Sequence, residues 1–195
     1  GSAAFSNYDE KVMSEMTLYG LPMFSVSTTS RLVKARAAVT PLVSAGASTT
    51  NGLVSTIYTL PMQFDAHTVT GLGTYFTLQG QNDVQALPLR PVQPQVSVPV
   101  SYAVPGYLAH GVLMVGGNFS DQLVDPVIGR IVTETTYVAL EPEYFSTVFY
   151  PVFPAAVNRL LSFQSVPSEN LVVVPGQYRS IDGFTGIQRL YSELS

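Results

Sequence analysis

Two stretches of this chain alternate apolar and polar residues with a period of two, and this pattern constrains the fold more than any other feature. One stretch runs from Tyr58 to Asp65, and the other runs from Gln95 to Val104. Because successive side chains of a β-strand point to opposite faces of its sheet, each stretch predicts a half-buried strand. Pro99 has no N–H donor, so we expect the second strand to lie at a sheet edge or to carry a bulge.

Further short runs of β-branched, aromatic and apolar residues predict additional strands. These runs are residues 23–28, 31–39, 74–79, 111–115, 131–140, 146–150, 171–174 and 186–194. Turn signals separate the runs: Asn51-Gly52, Gly71-Leu72-Gly73, Gly80, Gly116-Gly117-Asn118, Pro175-Gly176 and Asp182-Gly183. Many short strands at this spacing predict an all-β fold, which we expect to be an antiparallel β-sandwich of the Ig-like or jelly-roll-like kind.

The front of the chain follows a different pattern. Residues 8–19 have helical spacing, with carboxylates in the first turn and Gly20 and Pro22 as stop signals. We interpret residues 1–22 as a linker or terminal helix, a remnant of an upstream domain, and residues 23–195 as the β-sandwich domain. Residues 40–52 are small and polar and predict a long mobile loop, while residues 155–163 have possible helical spacing.

Composition excludes several classes of function. The net charge is −4, and the only cationic cluster is Arg31, Lys34 and Arg36, which is too small for a nucleic-acid backbone. The chain has no cysteine, so it has no disulfide, thiolate metal site or thiol nucleophile. No apolar run reaches the roughly 18 residues that span a bilayer.

The sequence offers little for catalysis. It has two histidines and lacks a nucleophile elbow, a P-loop, a dinucleotide fingerprint and a zinc-protease helix. Asp65 and His67 are two residues apart on one face of a predicted strand, which favours a surface or loop-end pair over a metal or triad site. His110 opens an apolar strand candidate, and we expect it to be a structural imidazole. We therefore predict that the chain is not an enzyme.

Acidic residues in Pro-flanked loops give two weaker hypotheses. Glu141 with Glu143, or Asp121 with Asp125, are candidate carboxylate pairs for glycoside chemistry. Asn118, Asp121 and Asp125 are candidate oxygen ligands for calcium, although they lack the order of an EF-hand loop. No other cofactor is expected.

A dense aromatic group precedes the helical-spacing segment. Its members are Tyr144, Phe145, Phe149, Tyr150 and Phe153. We expect these rings to fill the core between sheets, because an exposed patch of this size is an aggregation liability. The alternative is a ligand-binding platform that uses Tyr144, Phe145 and Tyr150.

Segments at both ends of the chain resemble gingipain-like cysteine peptidase proteins of bacterial surfaces. The first runs from Tyr8 to Met23, where a final helix leads into a Leu-x-Gly-Asp-Pro element in that family; Leu21 stands here in place of the Asp. The others are Leu171 to Tyr178 and Thr185 to Tyr191. The resemblance implies the β-rich region that follows the catalytic domain. The family's catalytic Cys and His would lie upstream, so no catalytic residue is assigned here.

These observations predict a non-catalytic accessory module of a secreted or cell-surface, peptidase-containing, multidomain protein. Its expected partner is the upstream peptidase domain of the same polypeptide, with a glycan or protein ligand as a further possibility. A carbohydrate-binding or adhesive module is one alternative. A structural assembly subunit, as in a capsid or appendage, is another, and a hydrolase built on Asp65 and His67 is the last.

Overall fold

The computed structural model describes residues 39–50, 53–100, 108–129, 143–160 and 168–195. These ranges form twelve strands and contain no helix. The predicted helix over 8–19, the strand candidates 23–28 and 131–140, and nearly all of 31–39 lie outside the described residues. No helix with the length and apolar character of a membrane span occurs in the described ranges.

All ladders between the twelve strands are antiparallel, as the sequence predicts. The strands are β1 Leu42–Thr50, β2 Leu53–Pro61, β3 Phe64–Val69, β4 Gly73–Leu78, β5 Val84–Gln85, β6 Gln93–Pro94, β7 Val96–Pro99, β8 Gly117–Val124, β9 Ala155–Leu160, β10 Ser168–Val173, β11 Gly176–Ser180 and β12 Gly186–Leu194. The all-β prediction is therefore confirmed for this part of the chain.

Strand β12 organises the five-stranded sheet. Leu190 lies opposite Ser120 of β8 and also opposite Gly176 of β11. Because a strand has only two edges, β8 and β11 flank β12 on opposite sides. At the far end of β12, Leu194 pairs with Leu60 of β2, and β1 lies beyond β2.

A second sheet has the order β7-β10-β9, and this order confirms the edge position predicted from Pro99. Val96 and Val98 of β7 are buried while Ser97 and Pro99 are exposed, so the predicted alternation also holds. The two remaining ladders are β3-β4 and β5-β6. The predicted glycine turn joins β3 to β4.

The core collects the inward side chains of both larger sheets and of β4. One apolar cluster comprises Leu60, Met62, Leu78, Val96, Val98, Leu171, Val173, Tyr191 and Leu194. The period-two pattern of β10 explains its contribution, because Leu171 and Val173 are buried on alternate positions. Burial of this apolar surface is the main source of stability for such a fold.

Buried side-chain amides connect β6 to β12 by hydrogen bonds. The Gln93 and Gln188 side chains donate a hydrogen bond to each other, at 3.2 and 2.8 Å between nitrogen and oxygen. Both residues are almost fully buried, and the mutual pairing satisfies groups that would otherwise lack water. Gly176 lies against this pair, and a Cβ there would collide with the Gln93 Oε1.

Four predictions of local structure are wrong. Residues 40–52 are not a loop, because residues 42–50 form β1, which pairs with β2 from Leu42↔Thr59 to Thr50↔Leu53. The segment 155–163 is not helical where it is described, since residues 155–160 form β9 on β10. Pairing with a neighbouring strand overrides local propensity in both places. Residues 111–115 and 146–150 are described but lie outside the named strands.

Candidate binding surface

An irregular segment, residues 143–154, follows the free side of β11 and is called the strap here. Its chain runs antiparallel to β11, and hydrogen bonds fix it along its length. Tyr150 and Tyr178 exchange both backbone hydrogen bonds at 2.8 Å, and Val174 N donates to Pro154 O at 2.7 Å. The Gln177 side chain donates to Pro151 O at 2.7 Å. The strap therefore extends the sheet beyond β11.

Tyrosine rings anchor the inner side of the strap. Tyr144 is 5% exposed, and its ring centroid lies 5.9 Å from that of Tyr178 and 6.2 Å from that of Tyr150. Ile128 completes this second apolar cluster. Tilted and edge-on ring pairs at these distances are favourable, so the aromatic cluster holds the strap against β11.

The tyrosine hydroxyls lie in a dry, partly charged environment. Burial raises the pKa of Tyr178, and the carboxylates of Asp125 and Asp182 raise it further. Burial also raises the pKa of Tyr150, and the nearby Arg90 guanidinium opposes this rise. Arg90 lies 5.5 Å from the Tyr150 ring centroid. Both hydroxyls therefore stay neutral, and the Tyr150 hydroxyl donates to Gln85 Oε1 at 3.4 Å.

The outer side of the strap is apolar and exposed. Phe145 is 69% exposed and Phe153 is 83% exposed, and Val148 and Val152 lie between them with more than half of their surface in solvent. The expectation that the aromatic group fills the core is correct for Tyr144 and wrong for Phe145 and Phe153. The physical reason is that the strap is a single layer with only one inner side, so it cannot bury all of its apolar side chains.

The β11–β12 turn extends this apolar surface. Ile181 and Phe184 are both exposed there. Asp182 Oδ1 accepts hydrogen bonds from the backbone N–H groups of Phe184 at 2.9 Å and Thr185 at 2.6 Å. These two donors hold the pKa of Asp182 below its usual value. At Gly183, a Cβ would lie 2.9 Å from the Phe145 Cζ, so glycine allows this ring to pack against the turn.

Arg189 of β12 contacts both β8 and the strap. The Arg189 guanidinium carbon lies 3.8 Å from the Phe119 ring centroid on β8 and 4.3 Å from the Phe149 ring centroid on the strap. The same guanidinium donates two hydrogen bonds of 2.9 Å to the Asp121 carboxylate. A planar guanidinium can stack and bind a carboxylate at once, which an ammonium cannot do. Sequence reasoning missed this arrangement; its only signal is Arg189 on the polar face of β12.

The three predicted calcium ligands follow one another on β8 and just beyond it. Asn118 donates to Glu193 Oε1 at 3.2 Å, Asp121 binds Arg189, and the Asp125 backbone carbonyl accepts from Thr74 N at 2.7 Å. Asn118 and Asp121 are three positions apart on a strand, so their side chains point to opposite faces. Within the described residues, no three His, Asp or Glu side chains are grouped as metal ligands would be. Calcium binding stays a prediction.

The two histidines lie apart from the strap. His67 Nε2 hydrogen-bonds Thr77 Oγ1 at 2.8 Å, and the imidazole stacks on Tyr75 at 5.0 Å. Asp65 is exposed on the same strand, β3. His110 is exposed and outside the strands, so its predicted role as a structural imidazole that opens a strand is wrong. Of the predicted carboxylate pairs, Glu141 lies outside the described residues.

A cleft of about 550 Å³ lies beside β2 and β4. Its walls include Pro61, Met62, Gln63, Gln79 and Ser192. None of the side chains that line it is acidic or basic, and neither histidine is among them. The cleft and the histidines therefore do not form a joint site.

In the residues that the structure describes, these features define an all-β fold with antiparallel sheets and an exposed apolar strap. No family model matches the chain, and no curated protein matches it. Among solved structures, it is similar to a chain in the complex of the pro- and mature domains of RgpB from Porphyromonas gingivalis. The TM-score is 0.45 and the identity is 15%, over 70% of this chain and 76% of that chain. A likeness at this level assigns no site and no activity.

Proposed function

We propose that this chain is a non-catalytic accessory module that binds another protein surface through the outer side of the strap. The observation that carries the proposal is the exposure of large apolar side chains on the strap and the adjoining turn. They are Phe145, Val148, Val152, Phe153, Ile181 and Phe184. Contiguous exposed apolar surface rimmed by polar residues is typical of protein interaction sites.

The chemistry of the strap fits a protein better than a sugar. Sugars stack on open ring faces that carry neighbouring hydrogen-bonding groups, whereas the Phe149 ring of the strap is in contact with the Arg189 guanidinium. The exposed rings, Phe145 and Phe153, share the strap with the exposed aliphatic side chains of Val148 and Val152. Phenylalanine and arginine are also enriched at the centres of protein interfaces.

The proposed partner is the peptidase domain of the same polypeptide, in a secreted or cell-surface bacterial protein. The support is the sequence resemblance to the region after gingipain-like catalytic domains. Two of the resembling segments, 171–178 and 185–191, lie in β10, β11 and β12, and these strands carry the strap. We further propose that the two larger sheets stack as a β-sandwich, because one apolar cluster draws on both.

Binding is tested with the peptidase domain of the parent polypeptide, produced separately and titrated with this chain by calorimetry. Phe153→Ser is expected to weaken binding by about tenfold or more, because truncating an interface anchor costs about 2 kcal/mol or more. Leu113→Ser is the matched control, since Leu113 is 82% exposed but lies outside the strap. Absence of binding by the unaltered chain, or equal weakening by both variants, would contradict the proposal.

The non-catalytic part of the proposal rests on the position of the histidines. His67 is bound to Thr77, whose side chain has little access to solvent, and His110 lies elsewhere on the surface. A nucleophile needs both a base and an approach path for substrate. Assays of peptide and ester hydrolysis are expected to show no turnover. Robust turnover that His67→Ala abolishes would refute this part.

A glycan-binding module is the second candidate, favoured by the exposed Phe145 and Phe153 rings. A glycan array tests it directly. Binding to a glycan that Phe145→Ser removes would support it. A silent array, together with no shift in melting temperature on adding calcium, would remove it.

A further inference from the structure

Strand β8 lies at one edge of the five-stranded sheet in the described residues. It pairs with β12 along its whole length, from Gly186↔Val124 to Leu194↔Gly117. Seven of its eight residues are exposed and the eighth, Val124, is half-buried. In the part of the chain that the structure describes, β12 is the only strand that pairs with it.

An exposed strand edge presents a row of backbone donors and acceptors to other chains. Proteins usually protect such an edge with lysines, prolines or inward-pointing charges. Residues 117–124 contain no lysine, arginine or proline, and their only charge is Asp121. The Arg189 guanidinium neutralises this carboxylate from the neighbouring strand. The edge of β8 therefore carries no net charge that would repel a second strand.

We propose that the edge of β8 is a self-association site, at which β8 of a second copy pairs antiparallel and joins two five-stranded sheets. An antiparallel pair of identical strands has a twofold axis, so one surface serves both copies. This site lies on the opposite side of β12 from the strap and goes beyond the proposed function.

The sequence of β8 suits one register about that axis. With Ser120 opposite Ser120 of the second copy, Asn118 lies opposite Gln122, and Phe119 lies opposite Asp121. Amide and hydroxyl groups then face each other on one side of the joined sheet. The two Asp121 carboxylates are not directly opposed, which avoids the like-charge pair that destabilises a ladder.

The proposal is tested by sedimentation of the full 195-residue chain at several concentrations. We expect a reversible dimer, and we expect Ser120→Lys to raise its dissociation constant by about tenfold or more, because two ammonium groups would meet at the axis. Ser97→Lys is the matched control, since Ser97 is also an exposed residue in the middle of an edge strand, β7. Mixing Ser120→Lys with Ser120→Asp is expected to restore a dimer.

Two outcomes would overturn the proposal. One is a strictly monomeric chain at high concentration, and the other is equal weakening by Ser97→Lys. Hydrogen exchange adds a second measurement, because alternate β8 amides should be protected in the dimer and exchange rapidly in the Ser120→Lys monomer. Equal protection in both states would mean that another segment of the same chain covers this edge, and this result would also contradict the proposal. Failure here leaves the strap experiment unaffected, since Phe153 is not on β8.

Discussion

The two strands that flank β12 differ in what covers them. On one side, β11 is covered by the strap, and Tyr178 exchanges two backbone hydrogen bonds with Tyr150. On the other side, β8 is exposed along nearly its whole length. Both strands pair with residues 186–190 of β12, so backbone pairing alone does not distinguish them. The difference arises from what packs on the far side of each strand.

This comparison separates folding from recognition. The β11 side contains buried tyrosines and a buried amide network, which are the features that stabilise a fold. The β8 side contains the half-exposed Phe119 ring and a surface ion pair, which contribute little to stability. We therefore expect substitutions on the β11 side to affect unfolding and those on the β8 side to affect association.

The largest expected difference compares two aromatic residues. Tyr144→Ala should lower the free energy of unfolding by about 3–5 kcal/mol, because it removes a buried ring and leaves a cavity beside Tyr178. Phe119→Ala should cost about 1 kcal/mol, since Phe119 is 50% exposed. Urea unfolding measures both values. Equal costs would show that the strap is not part of the folded core.

A second test concerns the amide that connects the strap to β12. Gln177 donates to Pro151 O, and its Oε1 accepts from the Tyr191 hydroxyl at 3.0 Å. Gln177→Ala should cost about 1–3 kcal/mol of unfolding free energy, because the buried Tyr191 hydroxyl and the half-buried Pro151 carbonyl both lose a hydrogen bond. Gln122→Ala, on the exposed β8, should stay within about 0.5 kcal/mol of the unaltered chain. A large effect of Gln122→Ala would break the comparison.

Arg189 contacts both β8 and the strap, and its substitution should lower the free energy of unfolding by a smaller amount. Arg189→Lys keeps the charge but loses the two-point bond to Asp121 and the stacking between Phe119 and Phe149. We expect the free energy of unfolding to fall by about 1 kcal/mol, as measured by thermal or urea unfolding. Arg179→Lys is the control, because Arg179 lies over one ring, that of Phe149, at 5.2 Å, whereas Arg189 lies over two. A similar loss in both variants would mean that stacking between two rings adds nothing.

The smallest effect depends on pH. The hydrogen bond from Arg189 holds the pKa of Asp121 below its ordinary value of 3.8. The unfolded carboxyl protonates near that value, so the pair stabilises the fold above it and loses this contribution as the pH falls through the folded pKa. Asp121 is partly exposed, so the contribution should be under about 1 kcal/mol.

Asp121→Asn is therefore expected to lower the melting temperature slightly at about pH 6, and this difference is expected to shrink as the pH falls below 3.8 and Asp121 takes up a proton. Asp182→Asn should show the same direction, because its pKa is lowered by backbone donors. A melting-temperature difference for Asp121→Asn that does not shrink on acidification would contradict the role of the ion pair.

Much of the fold could be predicted from local pattern. The alternation around Leu60 and Met62 marks side chains that are buried in the core, and Pro99 marks an edge strand that is found at an edge. Residues 40–52 and 155–163 could not be read in this way. Their composition favours a loop and a helix, and pairing with the neighbouring strands β2 and β10 makes residues 42–50 and 155–160 strands.

The candidate binding surface could be predicted only in part from the sequence. Density of aromatic residues drew attention to Tyr144, Phe145 and Tyr150, but it did not show that Tyr144 is buried while Phe145 is exposed. The Arg189 contacts join β8, β12 and the strap, which are separated in the chain, so no local pattern could indicate them.

By itself, the sequence determined the class of fold, because a period of two in hydrophobicity can be buried only by sheets. It also determined the absence of cysteine chemistry and the low charge. Only the tertiary structure decided which strand edge is covered and which aromatic rings reach solvent. The reason is that edge protection and ring exposure depend on neighbours from distant parts of the chain, whereas periodicity is a property of each segment alone.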